Sequence, residues 1–113
     1  NELATAVKLN LPVTIFLVNN NTLGMVRQWQ TLFYQKHYSS TTLNLPTDYM
    51  KLADAFGAKG FVLDKDSDID DVVKKALSCD GTALVECRIN TDEFVLPMVP
   101  PGKTTDDIIT ELN

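Results

Sequence analysis

The feature that most constrains the fold is an apolar run, residues 13–18, followed directly by consecutive asparagines and then by a helical pattern. A short run with almost no polar members is typical of a strand that is covered on both faces in a parallel sheet. Residues 61–63 and 82–89 predict two more strands. Because helical patterns separate these strands, we predict an α/β fold with a mostly parallel sheet flanked by helices.

The helices are predicted from apolar residues that recur at spacings of three and four. They are expected over residues 2–8 and 24–35, and three more are expected to begin near residues 47, 67 and 104. Gly57 is expected to end the first of these three. The predicted N-caps are Thr47, Ser67 or Asp68, and Thr104 or Thr105. The predicted inward faces hold Val26, Trp29 and Phe33; Tyr49, Leu52, Ala53 and Phe56; Ile69, Val72, Val73, Ala76 and Leu77; and Ile108, Ile109 and Leu112.

The composition argues against several classes of protein. A formal charge of −5 over 113 residues argues against a nucleic-acid binder, which normally carries a basic face. No apolar run approaches the ~20 residues that cross a bilayer, so we expect no membrane partner. Cys79, Cys87 and the single histidine, His37, lack metal-ligand spacing, which favours two buried cysteines in a reducing, cytoplasmic compartment.

The loop after the first strand carries side chains suited to an ionic ligand. Asn19, Asn20 and Asn21 are followed by Gly24 and then by a helix. Amide and carbonyl oxygens suit Mg²⁺, which keeps few protein ligands and takes the rest from phosphate and water. The helix that follows directs free N–H groups toward an anion. A polar loop whose asparagines serve turn geometry has the same pattern, and the pattern alone leaves both interpretations open.

Two segments carry a resemblance to a known family. Residues 19–30 resemble the second half of the thiamine-diphosphate motif, whose first half is a glycine-aspartate-glycine element. The more specific block within them is Gly24-Met25-Val26-Arg27-Gln28-Trp29-Gln30. Together with residues 95–102, which contain Pro97-Met98-Val99, this block resembles the catalytic large subunit of acetolactate synthases. The similarity runs across all 113 residues.

The resemblance implies that the chain is the truncated C-terminal half of a thiamine-diphosphate-binding fold. Residues 1–113 would form the C-terminal portion of that domain, with residues 93–113 as its tail. Residues 1–7 resemble the helix that follows the glycine-aspartate-glycine element, so that element and its metal-binding aspartate would lie outside the chain. We therefore expect a fragment of an enzyme that is inactive by itself.

The resemblance also implies roles for the residues of the loop and of the helix after it. Asn20 would give its side-chain oxygen to Mg²⁺, and Thr22 its backbone carbonyl. The residues that would line the diphosphate and thiazolium ring are Asn21, Leu23, Gly24 and Met25. Trp29 would face the substrate channel, although a tryptophan on an apolar helix face is also an ordinary core residue. Arg27 and Gln28 are expected on the helix surface or at a subunit contact.

The chemistry implied for the parent enzyme is carboligation in branched-chain amino-acid biosynthesis. Pyruvate would be decarboxylated and joined to a second 2-keto acid, such as 2-ketobutyrate. Met25 and Trp29 would serve this reaction by packing against the cofactor and shaping the channel, with no acid/base residue on this chain. The implied cofactors are thiamine diphosphate and Mg²⁺, with FAD bound mainly outside this chain. The family also implies a homo-oligomer, dimer or higher, and a regulatory small subunit.

Two other functions stay open at this point. A related thiamine-diphosphate enzyme, such as pyruvate oxidase or another carboligase, would share the asparagine loop, but Trp29 and the Pro97-Met98-Val99 segment argue against it. The second alternative is a catalytically silent module that associates with itself. A fragment cut beside its first strand would leave a sheet edge exposed, and exposed edges favour pairing between chains.

Overall fold

The chain alternates helices and strands around one small sheet. A computed structural model describes residues 2–44 and 47–111. The elements are α1 (Glu2–Lys8), β1 (Thr14–Asn19), α2 (Gly24–Phe33), α3 (Tyr49–Phe56), β2 (Lys59–Leu63), α4 (Ile69–Leu77), β3 (Ala83–Arg88) and a 3₁₀ turn at Thr105–Asp107. The three strands are parallel and lie in the order β1–β3–β2, which confirms the predicted fold class.

The two crossover connections place helices on opposite faces of this sheet. The connection from β1 to β2 passes across β3 and includes α3, and the connection from β2 back to β3 contains α4. Because such crossovers are right-handed and these two run in opposite directions, α3 and α4 cover opposite faces. The core on the α3 face consists of Ala53, Ala58 and Leu84 with Leu3, Val7, Leu17 and Tyr49 packed against them.

Position within the sheet decides how deeply each strand is buried. Residues 83–86 of the central strand β3 are all buried. Strand β1 lies at an edge, where Phe16 is 44% and Val18 63% exposed. The prediction that residues 13–18 are covered on both faces is therefore wrong, because the two helices that cover the sheet, α3 and α4, pack over β2 and β3 and leave Phe16 and Val18 of the edge strand uncovered. The predicted exposed sheet edge is present.

The ends of α3 and α4 follow the sequence signals with one exception, and α2 ends at Phe33, two residues before the predicted end. Asp48, not the predicted Thr47, caps α3, because its carboxylate accepts hydrogen bonds from the Met50 and Lys51 N–H groups at 3.1 and 3.0 Å. Leu45 and Pro46, also part of the predicted start, lie outside the described residues. Gly57 ends α3 in the left-handed conformation, and Asp68 caps α4, as predicted.

The inward faces of the helices are narrower than predicted. Ala53 and Ala76 are buried, but Leu52, Ile69 and Leu77 are exposed because each covering helix contacts the small sheet along a thin stripe. Both cysteines are free and only half-buried. Within residues 2–44 and 47–111, no helix has the length and apolar character needed to cross a membrane.

The segment after β3 is extended and folds back across the molecule. The predicted terminal helix is a single 3₁₀ turn, which begins at a capping box of Thr104 and Asp107. Beyond it, Ile109 pairs with Met98 through two backbone hydrogen bonds of 2.8 and 2.9 Å. Ile108 is exposed, and Leu112 lies outside the described residues.

Candidate cofactor site

The asparagine loop at the carboxyl end of β1 is built from two consecutive side-chain turns. The Asn19 Oδ1 atom accepts a hydrogen bond from the Asn21 N–H at 3.0 Å, and the Asn20 Oδ1 atom accepts one from the Thr22 N–H at 3.2 Å. Asn21 adopts a φ of 52°, a conformation that asparagine tolerates better than most residues. The asparagines therefore do serve turn geometry, which leaves open whether they also bind a ligand.

Thr22 is the anchored residue of the loop. Its hydroxyl donates to the Thr41 carbonyl at 2.8 Å, and its backbone forms an antiparallel bridge with Thr42. The flanking bonds join Leu23 to Thr41 and Leu43 to Asn21, so the N–H and C=O groups of Thr22 itself point away from Thr42. No donor among the described residues reaches the Thr22 carbonyl oxygen, so this oxygen is available to a ligand on the side of Asn20.

Gly24 brings the start of α2 against the amide of Asn20. A Cβ atom at position 24 would lie 2.9 Å from the Asn20 Nδ2 atom, which is closer than real Cβ contacts allow. Glycine therefore lets the first turn of α2 lie directly against the Asn20 amide.

The N-terminus of α2 lacks the side-chain cap that the other two large helices have. Asp48 and Asp68 cap α3 and α4 through hydrogen bonds to backbone N–H groups. At the matching position of α2 stands Leu23, whose side chain accepts no bond, and no acidic residue follows in the first turn. The first N–H groups of α2 are thus free to bind an anion beside Asn20.

The face of α2 that was predicted to be inward is exposed instead. Met25, Val26, Trp29 and Phe33 all lie on it, and Trp29 is 38% exposed. They line an open groove of ≈ 770 Å³ together with Gln30, Tyr34, Gln35 and His37. Trp29 packs edge-on against Phe33, with ring centroids 5.9 Å apart. The structure brings Met25 and Trp29 together along this groove, with Met25 in the first turn of α2 beside the loop.

The opposite face of α2 is held by the segment that follows β3. Gln28 is only 1% exposed, and its amide donates to the Val95 carbonyl at 3.0 Å and accepts from the Val95 N–H at 2.8 Å. Arg27 forms an ion pair with Asp92 at 2.6 Å, and its guanidinium lies 3.9 Å above the Tyr38 ring centroid. The hydrogen bond from Arg27 lowers the pKa of the Asp92 carboxyl. The prediction that Gln28 lies on the helix surface is wrong, because it is buried as the partner of a backbone segment.

Sequence reasoning missed Glu86 beneath the loop, and it gave Asn19 no role apart from the other asparagines. Glu86 lies in the central strand, and its Oε1 atom accepts a hydrogen bond from the Asn19 Nδ2 atom at 2.8 Å. Its Oε2 atom accepts bonds from Arg88 at 2.9 and 3.1 Å. The signal was present in the sequence, because a charged residue within a predicted buried strand is almost never without a partner.

The donor set fits a cation held in part by phosphate. The side-chain oxygen of Asn20 and the carbonyl oxygen of Thr22 are neutral, hard ligands of the kind that Mg²⁺ accepts. Within the part of the chain that the structure describes, no three His, Cys, Asp or Glu side chains cluster into a metal site. The loop therefore offers a partial ligand set that a diphosphate could complete, beside a helix start free to bind that anion.

The fold and the loop define a class of protein. Residues 1–87 match the family described as "Thiamine pyrophosphate enzyme, C-terminal TPP binding domain", and the chain belongs to this family. A solved structure of the same class, the Rhodococcus jostii RHA1 thiamine diphosphate-dependent 4-hydroxybenzoylformate decarboxylase, superposes with a TM-score of 0.64 at 27% identity. That match covers 80% of this chain and 17% of the decarboxylase chain.

The curated relatives are more specific. The chain is 39% identical over 112 residues to the Escherichia coli (strain K12) acetolactate synthase isozyme 2 large subunit, covering 99% of this chain and 20% of that protein. It is 42% identical over 108 residues to the mitochondrial acetolactate synthase catalytic subunit of Saccharomyces cerevisiae, covering 96% of this chain and 16% of that protein. The chain thus spans a fifth or less of the length of these relatives.

Proposed function

We propose that this chain is the C-terminal portion of the thiamine-diphosphate domain in an acetolactate synthase catalytic subunit, with residues 93–113 as the tail of that domain. The observation that carries the proposal is the uncapped start of α2 against the Asn20 amide, in a loop where the Asn20 oxygen lies near the Thr22 N–H and the Thr22 carbonyl is available. The identity to acetolactate synthases over nearly the whole chain supports this enzyme within the wider class.

Each residue of the site has a part in this proposal. Asn20 Oδ1 and the Thr22 carbonyl would hold Mg²⁺, which would supply positive charge to offset that of the diphosphate. The free N–H groups of α2 would bind the diphosphate, and Gly24 would keep that approach open. The residues that would line the rest of the cofactor are Asn21, Leu23 and Met25.

The reaction proposed for the whole protein is the decarboxylation of pyruvate and the joining of its remaining two carbons to a second 2-keto acid. When bound, thiamine diphosphate supplies the electron sink for this chemistry. The chain itself would hold the metal, orient the cofactor and keep water from one side of it with the apolar groove. Trp29 would line the path of the acceptor. No step in the proposal requires a proton-transfer residue on this chain.

The remaining components belong to the whole protein and extend the same proposal. They are FAD, bound mainly outside this chain, 2-ketobutyrate as an acceptor, a regulatory small subunit and a homo-oligomeric assembly. The exposed apolar residues of β1, Phe16 and Val18 among them, support burial against further protein. A cytoplasmic location is also proposed, although the yeast relative is described as mitochondrial.

The proposal is tested on the full-length protein that contains this chain. Calorimetric titration should show thiamine diphosphate binding that depends on Mg²⁺, and pyruvate should be converted to acetolactate. Asn20→Ala should weaken this binding at least about tenfold, a loss seen even for residues that only support metal ligands. Asn44→Ala, which alters an exposed amide on the same connection, is the matched control. A wild-type protein that binds no cofactor, or an Asn20→Ala variant that binds normally, would overturn the proposal.

The silent, self-associating module remains the second candidate for the isolated 113-residue chain, because β1 presents an apolar edge. Sedimentation at micromolar concentration should then show a dimer or larger species, and calorimetry should show no cofactor binding. A clean monomer that binds thiamine diphosphate would exclude this candidate.

A further inference from the structure

Glu86 is the only charged side chain among the buried residues of the described chain, with 5% of its surface exposed. Burial of a carboxylate is costly unless each oxygen has a partner. Here both oxygens are satisfied: Arg88 donates to Oε2 at 2.9 and 3.1 Å, and Asn19 donates to Oε1 at 2.8 Å. The pair with Arg88 neutralises the charge and satisfies Oε2 alone, so Oε1 depends on Asn19, and the same bond in turn constrains the Asn19 amide.

That bond fixes which end of the Asn19 amide faces the loop. A carboxylate can only accept hydrogen bonds, so the amide must turn its Nδ2 group toward Glu86. Its Oδ1 atom then faces the loop, where it accepts the bond from the Asn21 N–H at 3.0 Å. With the amide reversed, two N–H donors would face each other at Asn21, and this turn would lose its hydrogen bond.

The turn at Asn21 lies between the two proposed metal ligands. Asn20 precedes it and Thr22 follows it, and Asn21 holds a left-handed φ of 52°. Thr22 is also tied to Thr41 on its far side, so the bond from Asn19 constrains the loop on the side of the sheet. The chain of contacts therefore runs from Arg88 through Glu86 and Asn19 to the backbone between the ligands.

We propose that Glu86 is a positioning residue for the cofactor loop: it sets the orientation of the Asn19 amide and thereby the placement of the Asn20 and Thr22 oxygens. The inference rests on the proposed function. Glu86 touches neither metal nor cofactor in this arrangement, and its effect passes entirely through Asn19.

The orientation of the Asn19 amide gives a test that separates a positioning role of Glu86 from a packing role. In Glu86→Gln, the oxygen of the introduced amide is drawn to the charged Arg88, which leaves its NH₂ group facing Asn19. The Asn19 amide must then reverse and lose its bond to Asn21. Adding Asn19→Asp restores the pattern, because one oxygen of the introduced carboxylate accepts from that NH₂ group and the other from the Asn21 N–H.

The experiment measures the Kd of Mg²⁺ at fixed thiamine diphosphate, and of the cofactor at fixed Mg²⁺, by calorimetry on the full-length protein. We expect Glu86→Gln to raise the Kd for Mg²⁺ about tenfold, and the double variant Asn19→Asp with Glu86→Gln to return to within about threefold of wild type. Glu93→Gln, which removes an exposed carboxylate, should leave the Kd unchanged. Thermal unfolding of each variant without cofactor reports packing separately.

A Glu86→Gln variant with wild-type affinity, or a double variant that shows no rescue, would overturn the positioning role. If Glu86→Gln does not fold, Asn19→Ala takes its place, because it keeps the Glu86–Arg88 pair. Asn19→Ala should also raise the Kd for Mg²⁺ about tenfold, and an unchanged Kd would count against the inference. Asn20→Ala is measured alongside. If wild type binds the cofactor, Asn20→Ala does not, and Glu86→Gln binds as wild type does, only the positioning role is refuted. If wild type itself fails to bind, the proposed function is refuted as well.

Discussion

The helices α2 and α4 are similar in length, yet the chain stabilises them in opposite ways. Residues within or next to α4 stabilise it: Asp68 caps its start, acidic residues occupy its first turn, and Asp71 forms an ion pair with Lys75 one turn later at 2.6 Å. α2 has no side-chain cap and no charged residue that complements its dipole at either end. Residues distant in sequence stabilise it instead: Val95 forms hydrogen bonds with Gln28, and Asp92 forms an ion pair with Arg27.

This difference indicates what each helix contributes to the molecule. α4 covers the sheet, and its cap and its charged residues fit the helix dipole at both ends. α2 leaves its start and its apolar face open, and it is fixed from behind by the segment after β3. A helix used for binding gains from this arrangement, because the groups that hold it do not compete with a ligand. Four sets of variants test the contrast.

The largest effect is expected at the buried side of α2. Gln28 and Gln30 make the same pair of amide-to-backbone hydrogen bonds, to Val95 and to Ser39, but only Gln28 is buried. Gln28→Ala empties the space of a fully buried side chain and removes the partner of the Val95 N–H and C=O groups, and it should lower the free energy of unfolding by about 2–3 kcal/mol. Gln30→Ala should cost about 0.5–1 kcal/mol, because water replaces its bonds. Urea unfolding followed by circular dichroism measures both, and equal losses would contradict the view that α2 is held from behind.

The next effect concerns affinity and not stability. Gly24→Ala places a Cβ atom against the Asn20 amide and should raise the Kd for thiamine diphosphate with Mg²⁺ about tenfold, or ~1.4 kcal/mol. Stability should rise slightly or stay level, since alanine favours a helix over glycine by about 0.5–1 kcal/mol. Ile69→Ala changes the matching first residue of α4 and is the control. Calorimetry on the full-length protein measures the affinity, and thermal unfolding measures the stability. An unchanged affinity for Gly24→Ala would contradict the proposal that Asn20 is part of the site.

Exchanging the caps of the two helices should produce effects of opposite sign. Asp68→Ala removes the α4 cap and should cost about 1 kcal/mol of stability without altering cofactor binding. Leu23→Asp adds a cap and a negative charge at the start of α2, which should stabilise the chain by up to about 1 kcal/mol and weaken diphosphate binding. Leu23→Asn supplies the cap without the charge. Binding that is indifferent to Leu23→Asp would mean that the anion does not lie at the α2 start.

Sequence reasoning succeeded where local signals agreed with the tertiary structure. The parallel sheet, Gly57 at the end of α3 and the Asp68 cap all follow from short patterns whose meaning does not depend on distant residues. The choice of Thr47 over Asp48 failed by one position, since both residues are good caps and only the backbone geometry selects between them.

Burial was less predictable because it depends on which elements lie next to each other. Phe16 and Val85 are paired across β1 and β3, but only the central residue is fully buried. For the same reason α2 was oriented incorrectly: its apolar residues predicted the inward face, whereas the buried residue is the polar Gln28. The candidate site could be located from Asn20 and Gly24, but its support by Glu86 joins residues 67 positions apart.

The smallest effect is expected at the exposed ion pair between Arg27 and Asp92, and it should depend on pH. The hydrogen bond from Arg27 lowers the pKa of the Asp92 carboxyl, so this group stabilises the fold above its unfolded pKa of about 3.9 and loses that contribution as the pH falls through the lower, folded value. Asp92→Asn should therefore lower the Tm slightly at pH 7, and the difference from wild type should shrink and vanish as the pH falls through the folded pKa of Asp92.

Asp71→Asn is the counterpart in α4, where the lost pair is local and lies outside the segment after β3. Hydrogen exchange at neutral pH should accelerate at residues 92–98 in Asp92→Asn and stay unchanged there in Asp71→Asn. A Tm difference for Asp92→Asn that persists once Asp92 is protonated in the folded wild type would show that the shape of the side chain, and not its charge, holds the segment. α2 would then be fixed from behind by Gln28 and by the uncharged contacts of Asp92.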